Sequence, residues 1–265
     1  MRTSLAGGIF SLIVVLGFSP VRQSPERQPE RLRLAAILKK AEGYCQRLEN
    51  AALDFVCLEE VTERTWHLDL RTDVYLYDYQ YIRKNQEAKE KRNLIAVNGK
   101  TEDIRDSPLQ TIVFRYENVL FGPVGLLSRS WQAYHDFRFI GEDSFNKERT
   151  VVIEATPKPE FIKPHCYGRI WIREKDGSVL KIVWDQRSIG NFRSVEEWAK
   201  AHEAEPRIMA FSEYGLEKNG LRFPTRNYTE NASIGKDERK SVSAEVNSLY
   251  RRYKFFTVET EIKLK

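Results

Sequence analysis

Apolar residues recur at two spacings along this chain, and the spacing changes once near its start. Leu34, Leu38, Ala41, Cys45, Leu48, Ala52 and Phe55 fall alternately four and three apart. That is one stripe of an amphipathic helix, and it predicts a helix from about Pro29 to Asn50 with Cys45 on the buried face. Past Phe55 the period drops to two. Val56, Leu58, Val61 and Trp66 stand among charged residues and predict a strand over 55–70, with a turn at Arg71–Asp73. In the next run Tyr75, Tyr77, Tyr79 and Tyr81 alternate strictly, so the phenols share one face of one strand. They read either as the aromatic wall of a ligand cavity or as a half-exposed sheet face packed across strands.

The two-residue period returns several times. Asn93–Val97 ends at an Asn98-Gly99 turn, and strands are predicted over Tyr134–Gly141 and Thr150–Thr156. Tyr167–Asp185 reads as a β-hairpin. Ile170 and Ile172 on one arm and Leu180, Ile182 and Trp184 on the other form its apolar face, and Asp176-Gly177 suits a tight turn. Arg207–Leu216 and Leu221–Tyr228 are joined by Asn219-Gly220, and Val242–Lys263 closes the set. Two stretches break the pattern. Leu109, Ile112, Val113 and Tyr116 fit helical spacing, so Ser107–Trp131 reads as helix, turn and short helix, a lid for the sheet. Ser194–Glu203 reads as a short helix with Ser194 as N-cap and Glu197 three residues on.

Strands joined by short turns make an antiparallel meander, not alternating βα units. A sheet this long must curl or find cover. The expectation is an α+β fold: a strongly curved antiparallel sheet, with an N-terminal helix and the helical insertion covering its concave face. An apolar concave face would hold a lipid or another apolar ligand. Phe137, Phe139, Ile170, Ile172, Leu180, Ile182, Trp184, Leu221 and Phe223 are the expected lining. Close packing of these residues against the covering helices is the competing reading.

Composition adds compartment more than chemistry. The chain has 265 residues with 41% hydrophobic content, enough for a sizeable core. The net charge of +5 is spread along the chain and points to no nucleic acid. Arg2 followed by uncharged Leu5–Phe18 reads as a signal peptide over residues 1–19, with an uncleaved anchor as the alternative. Residues 20–31 then form a polar disordered linker and 32–265 one folded domain. The protein is expected to be periplasmic or secreted. Export permits a Cys45–Cys57 disulfide, which would pin the helix to the first strand; two buried thiols are the alternative. Cys166 is left as a buried or half-buried thiol.

No catalytic array stands out. The histidines at 67, 135, 165 and 202 are scattered and give no metal site, and no nucleophile elbow or phosphate loop occurs. No cofactor is expected. A hydrolase built on His165-Cys166 would need a base and a carboxylate converging on the thiol. Glu59-Glu60 face opposite sides of a strand and cannot share a site. Asn227-Tyr-Thr and Asn231-Ala-Ser have the form of glycosylation sequons.

The order of elements carries a resemblance. It runs from the N-terminal helix through an aromatic strand, charged turn and β-run over Tyr134–Pro157 to the GRIWI hairpin with its Asp-Gly turn. YGLEKNGLRFP at Tyr214–Pro224 follows, then a closing strand with Tyr250, Tyr253, Phe255 and Phe256. This resembles the LolA-like superfamily of bacterial periplasmic proteins, which comprises lipoprotein-sorting carriers, their receptors and related sensors. The resemblance implies a half-barrel whose concave side binds acyl chains. The partner would be a lipid or lipoprotein, or an envelope protein in a sensor role, with peripheral membrane contact. The carriers' functional arginine aligns with no single arginine here.

Overall fold

The structure is a computed structural model that describes residues 28–51, 54–66, 69–84, 87–161 and 165–256. The expected signal segment lies outside them. So does most of the expected linker, but Gln28–Arg31 form the first turn of helix α1, Gln28–Asn50. The buried side of α1 is Leu34, Ile37, Ala41, Tyr44, Cys45 and Leu48, a wider stripe than the spacing alone indicates.

Strands β1 (Asp54–Trp66), β2 (Leu70–Lys84), β3 (Glu87–Val97) and β4 (Lys100–Ile104) follow as a meander. The lid comes next, with short helices α2 (Val124–Leu127) and α3 (Arg129–Gln132). A second meander holds β5 (His135–Phe145), β6 (Glu148–Pro157), β7 (Gly168–Ile172) and β8 (Val179–Trp184). Helix α4 (Phe192–Ala201) leads to β9 (Glu205–Glu213) and then to a small ribbon, β10 (Leu216–Lys218) and β11 (Leu221–Phe223). Strands β12 (Arg226–Ile234) and β13 (Lys240–Phe256) complete the chain.

The main sheet has 11 strands in the order β4-β3-β2-β1-β13-β12-β9-β8-β7-β6-β5. Its two meanders are zipped by β1 against β13, antiparallel from Asp54 opposite Phe256 to Thr65 opposite Ala244. Laid flat, β2 and β6 would stand roughly 34 Å apart at ordinary strand spacing. Yet Tyr79 and Tyr81 of β2 and Val151 and Ile153 of β6 belong to one apolar core with α1 and the lid. The sheet is therefore curled into an open half-barrel around α1. The phenols of Tyr75, Tyr77, Tyr79 and Tyr81 all point inward and are buried. Phe55 stacks on Tyr81 at 5.6 Å, and Phe223 of the ribbon meets Phe55 edge-on at 5.5 Å.

The Asp176-Gly177 pair does not make a two-residue turn. Residues 173–178 form a longer loop closed by Arg173 and Ser178, with Gly177 at φ +75°. The extra length lets the loop cradle α1. Arg33 donates to both Glu174 oxygens at 2.8 Å, and Lys40 Nζ donates to the Glu174 carbonyl at 2.8 Å. Three further expectations are corrected. Residues 107–118 carry no helix, because their main-chain N–H groups turn to side chains of the sheet. Helix α4 begins at Phe192 with Asn191, not Ser194, in the N-cap position.

The third is the disulfide. Cys45 and Cys57 are both free and buried. Cys45 faces the lid, where its Sγ donates to the Pro123 carbonyl at 3.5 Å, while Cys57 sits on β1 opposite Tyr79 of β2. Closeness in sequence alone does not make a bridge. Cys166 is also free, and is exposed instead of buried.

Candidate functional site

One row of directly paired residues crosses the concave face from β5 to β1. It reads Phe139, Ile153, Ile170, Ile182, Ser212, Asn227, Ser248, Val61. Its β6–β8 part is fully buried isoleucine. The middle is small and polar: Ser212, Asn227 and Ser248 are 2%, 7% and 0% exposed. The neighbouring row reads Phe137, Ala155, Gly168, Trp184, Ala210, Thr229, Val246, Glu63. Gly168 and Ala210 on either side of Trp184 leave room for its indole.

Helix α1 and α2 cover the apolar part. Leu126 and Leu127 are fully buried with α1, and Gln132 Nε2 donates to the Leu38 carbonyl at 3.0 Å. Over the polar part the lid is held by side chains. Glu63 accepts from the N–H of Ile112 and Val113 at 2.9 Å, and the Tyr77 hydroxyl accepts from the N–H of Gln110 at 2.9 Å. Tyr116 donates to Glu59 at 3.0 Å and shares a short hydrogen bond with Ser248. Glu90 accepts from the N–H of Asn118 at 2.9 Å. An irregular segment over a sheet must find such acceptors or leave N–H groups unpaired.

Between this lid and the floor lies a cleft of about 460 Å³. Its floor is Trp184, Ala210, Ser212, Asn227 and Thr229, the lid side runs from Arg115 to Gly125, and Trp131 and His165 stand at the rim. A volume of this size is in the range of small-ligand sites. Another opening, about 500 Å³, is lined by Lys89, Glu90, Lys91, Arg92 and Asp106, whose charges suit no apolar guest.

Among the expected lining residues, Ile170, Ile172, Ile182, Leu221 and Phe223 are buried in the core under α1. Phe137 and Phe139 are half-buried against it, and Trp184 is the residue that reaches the cleft. Leu180 is buried outside that core. A bulge between β7 and β8 sets Val179, not Leu180, opposite Ile172. Sequence reasoning missed Glu59 and Glu63, four apart on one strand and so on one face, and it missed Ser212 and Asn227. Asn227 and Ser212 pair between strands separated by the ribbon, a relation local patterns do not carry.

The rim has its own chemistry. The Nε2 atoms of His135 and His165 are 2.9 Å apart, and His135 Nδ1 lies 2.9 Å from the Trp131 carbonyl. Burial pushes the His135 pKa down. The imidazole of His165 is thus engaged with His135. The Cys166 Sγ instead donates to the Ser188 carbonyl at 3.7 Å, and desolvation pushes its pKa up. An activated thiolate needs the opposite shift. The sequon asparagine Asn227 points into the half-barrel, where no glycan could be attached to it.

Among known structures, a LolA superfamily protein from Nitrosomonas europaea is 15% identical, over 87% of this chain and 97% of that one, with a TM-score of 0.37. The chain is similar to LolA superfamily proteins. A domain named for outer membrane lipoprotein sorting, from Vibrio parahaemolyticus, is 12% identical over 84% of this chain and 94% of that one, with a TM-score of 0.41. A chain of the Pseudomonas aeruginosa MucA/MucB complex is 13% identical over 80% of this chain and 94% of that one, with a TM-score of 0.23. At such identities the likeness is one of architecture. No family model and no curated protein matches the chain. Among the described residues no helix is long and apolar enough to cross a membrane.

Proposed function

We propose that this chain is an exported cell-envelope protein that binds a lipid or acyl chain in the cleft between lid and sheet. The observation that carries this reading is the division of the concave face. The part under α1 is packed solid, with Ile153, Ile170, Ile172 and Ile182 at 0% exposure. The cleft beside it stays open and has aromatic and aliphatic walls: Trp131, Trp184, Phe121, Ile189 and Ala210. Apolar walls with a few fixed polar groups are the usual make-up of a small-ligand site. The packed residues Ile170, Ile172, Ile182, Leu221 and Phe223 serve as the scaffold behind it, and they become lining only if α1 lifts. Native mass spectrometry of the exported protein, followed by solvent extraction, tests the reading. A bound acyl lipid is the expected result; repeated recovery of empty protein, together with failure to take up added lipid, overturns it.

A second reading, binding of an envelope protein without a small ligand, has one observation in its favour. Edge strand β4 is exposed at every position and could accept a partner strand. Under that reading, partner capture survives a Trp or Phe placed at Ala210 to fill the cleft.

A further inference from the structure

Within the cleft, the hydrogen bonds of the floor run in one direction. Trp184 Nε1 donates to Ser212 Oγ at 3.1 Å, and Ser212 Oγ donates to Asn227 Oδ1 at 2.8 Å. The hydroxyl accepts from the indole and donates to the amide oxygen of Asn227. The oxygen of Asn227 is thereby engaged, and the NH₂ end remains. Among the described residues no group accepts from Asn227 Nδ2. The residue is 7% exposed and lines the cleft, so its amide offers a solvent-accessible donor there. A donor with no protein acceptor on a cleft floor is a place where a ligand oxygen can take over from water.

The surroundings narrow the ligand atom further. The donor is neutral, and the groups beside it are Trp184, Ala210 and Thr229. Arg115 and Glu117 lie on the lid side, both exposed and of opposite sign. A carboxylate at Asn227 would lose its water with no buried cation in exchange, which is costly. A carbonyl oxygen loses far less and gains a hydrogen bond.

We propose that Asn227 is the specificity residue of the cleft. Its Nδ2 donates to the carbonyl oxygen of an ester- or amide-linked acyl chain, and so selects esterified chains over free fatty acids. This rests on the cleft being the ligand site. Trp184 and Ser212 act as positioning residues that hold the amide in the donating orientation.

The test compares probes of one chain length: 1-monolauroyl glycerol, which has the ester carbonyl, its ether analogue 1-dodecyl glycerol, which lacks it, and laurate. Each is titrated into the folded protein at neutral pH. The wild type is expected to bind the ester roughly three- to ten-fold tighter than the ether, the worth of one neutral hydrogen bond, and laurate more weakly than the ester. Asn227→Leu is expected to bind ester and ether alike, near the wild-type ether affinity. Asn227→Asp keeps the acceptor for Ser212, replaces the donor by an oxygen, and is expected to disfavour the ester. It serves as the readout if the leucine variant does not fold. An ester preference that persists in these variants overturns the role of Asn227 while leaving the cleft as the site. Equal ester and ether affinity in the wild type, or tighter binding of laurate than of the ester, overturns carbonyl selection. Failure of the wild type to bind any of the probes overturns both the inference and the cleft reading.

Discussion

Arg92 Nε donates to Glu59 Oε2 at 2.7 Å inside the half-barrel, where the two side chains are 7% and 0% exposed. The pair ties β3 to β1, and the Tyr116 hydroxyl bonded to Glu59 extends the tie to the lid. Arg92 also holds Glu90 at 3.1 Å and lies over the Tyr79 and Tyr116 rings. The two partners are therefore unequal. Without Arg92, Glu59 would be a buried carboxylate with only phenol and hydroxyl neighbours. Without the Glu59 charge, Arg92 still has Glu90. Arg92→Met is expected to cost about 3–5 kcal/mol and Glu59→Gln clearly less, measured by urea unfolding. Equal losses would contradict this division.

Gly177 combines a left-handed backbone with close approach. At φ +75° it faces α1, and a Cβ there would lie 2.3 Å from the Lys40 carbonyl carbon. Gly220 has a similar φ of +73° with nothing within 4 Å. Gly220→Ala therefore reports backbone strain alone, about 1–2 kcal/mol. Gly177→Ala is expected to exceed it by a further ~1–3 kcal/mol as helix and loop are forced apart. Thermal and urea unfolding of the two variants give the difference. Matching losses would mean that α1 does not rest on this loop.

How far such features can be read in advance depends on how local they are. The α1 stripe and the shared face of the β2 phenols follow from spacing within one element, and both were legible; the burial of that face is set by the curl of the sheet. The loop at Asp176-Gly177 was legible as a turn, but its length is set by α1, which lies far away in sequence. Leu109, Ile112, Val113 and Tyr116 have helical spacing, yet Ile112 is 67% exposed, and its N–H is spent on Glu63. A spacing rule cannot see an acceptor arriving from another strand. The polar Ser212–Asn227–Ser248 row is hidden for the same reason. It exists only once β9, β12 and β13 are in register, and each residue alone looks like an ordinary polar position of a strand. Cys45 and Cys57 show the converse, being close in sequence but aimed at different neighbours.

Glu63 is the main anchor of the first half of the lid. Its carboxylate, 2% exposed, accepts from two consecutive N–H groups, those of Ile112 and Val113. Hydrogen bonds to a charged acceptor contribute about 1.5–3 kcal/mol. Glu63→Ala is expected to speed exchange of these two amides by roughly 10- to 100-fold, with little change at the β1–β13 ladder. Glu63→Gln, which keeps one acceptor oxygen, should fall between. Hydrogen exchange resolved by residue checks this, and unchanged protection at Ile112 and Val113 would show that the lid is held elsewhere.

The loop that cradles α1 also sets a pH dependence. Burial by itself would raise the pKa of Asp176, but the Arg173 guanidinium and the N–H and hydroxyl of Ser178 outweigh it and hold the carboxyl well below the usual range. Ser178 Oγ donates to Asp176 Oδ1 at 2.8 Å and Arg173 Nε at 3.0 Å. The folded pKa thus lies below the unfolded value of about 3.9. The unfolded chain takes up the proton first, so the contribution of Asp176 is complete above about pH 4 and fades as pH falls toward the folded pKa. Asp176→Asn removes this titration. The stability gap between wild type and variant should be constant from pH 5 to 7 and shrink steadily below pH 4. Arg–carboxylate pairs at Glu148 and Glu154 titrate in both proteins and cancel in the difference. A gap that stays constant down to pH 2 would mean that Asp176 is not tied to Arg173 and Ser178 in solution.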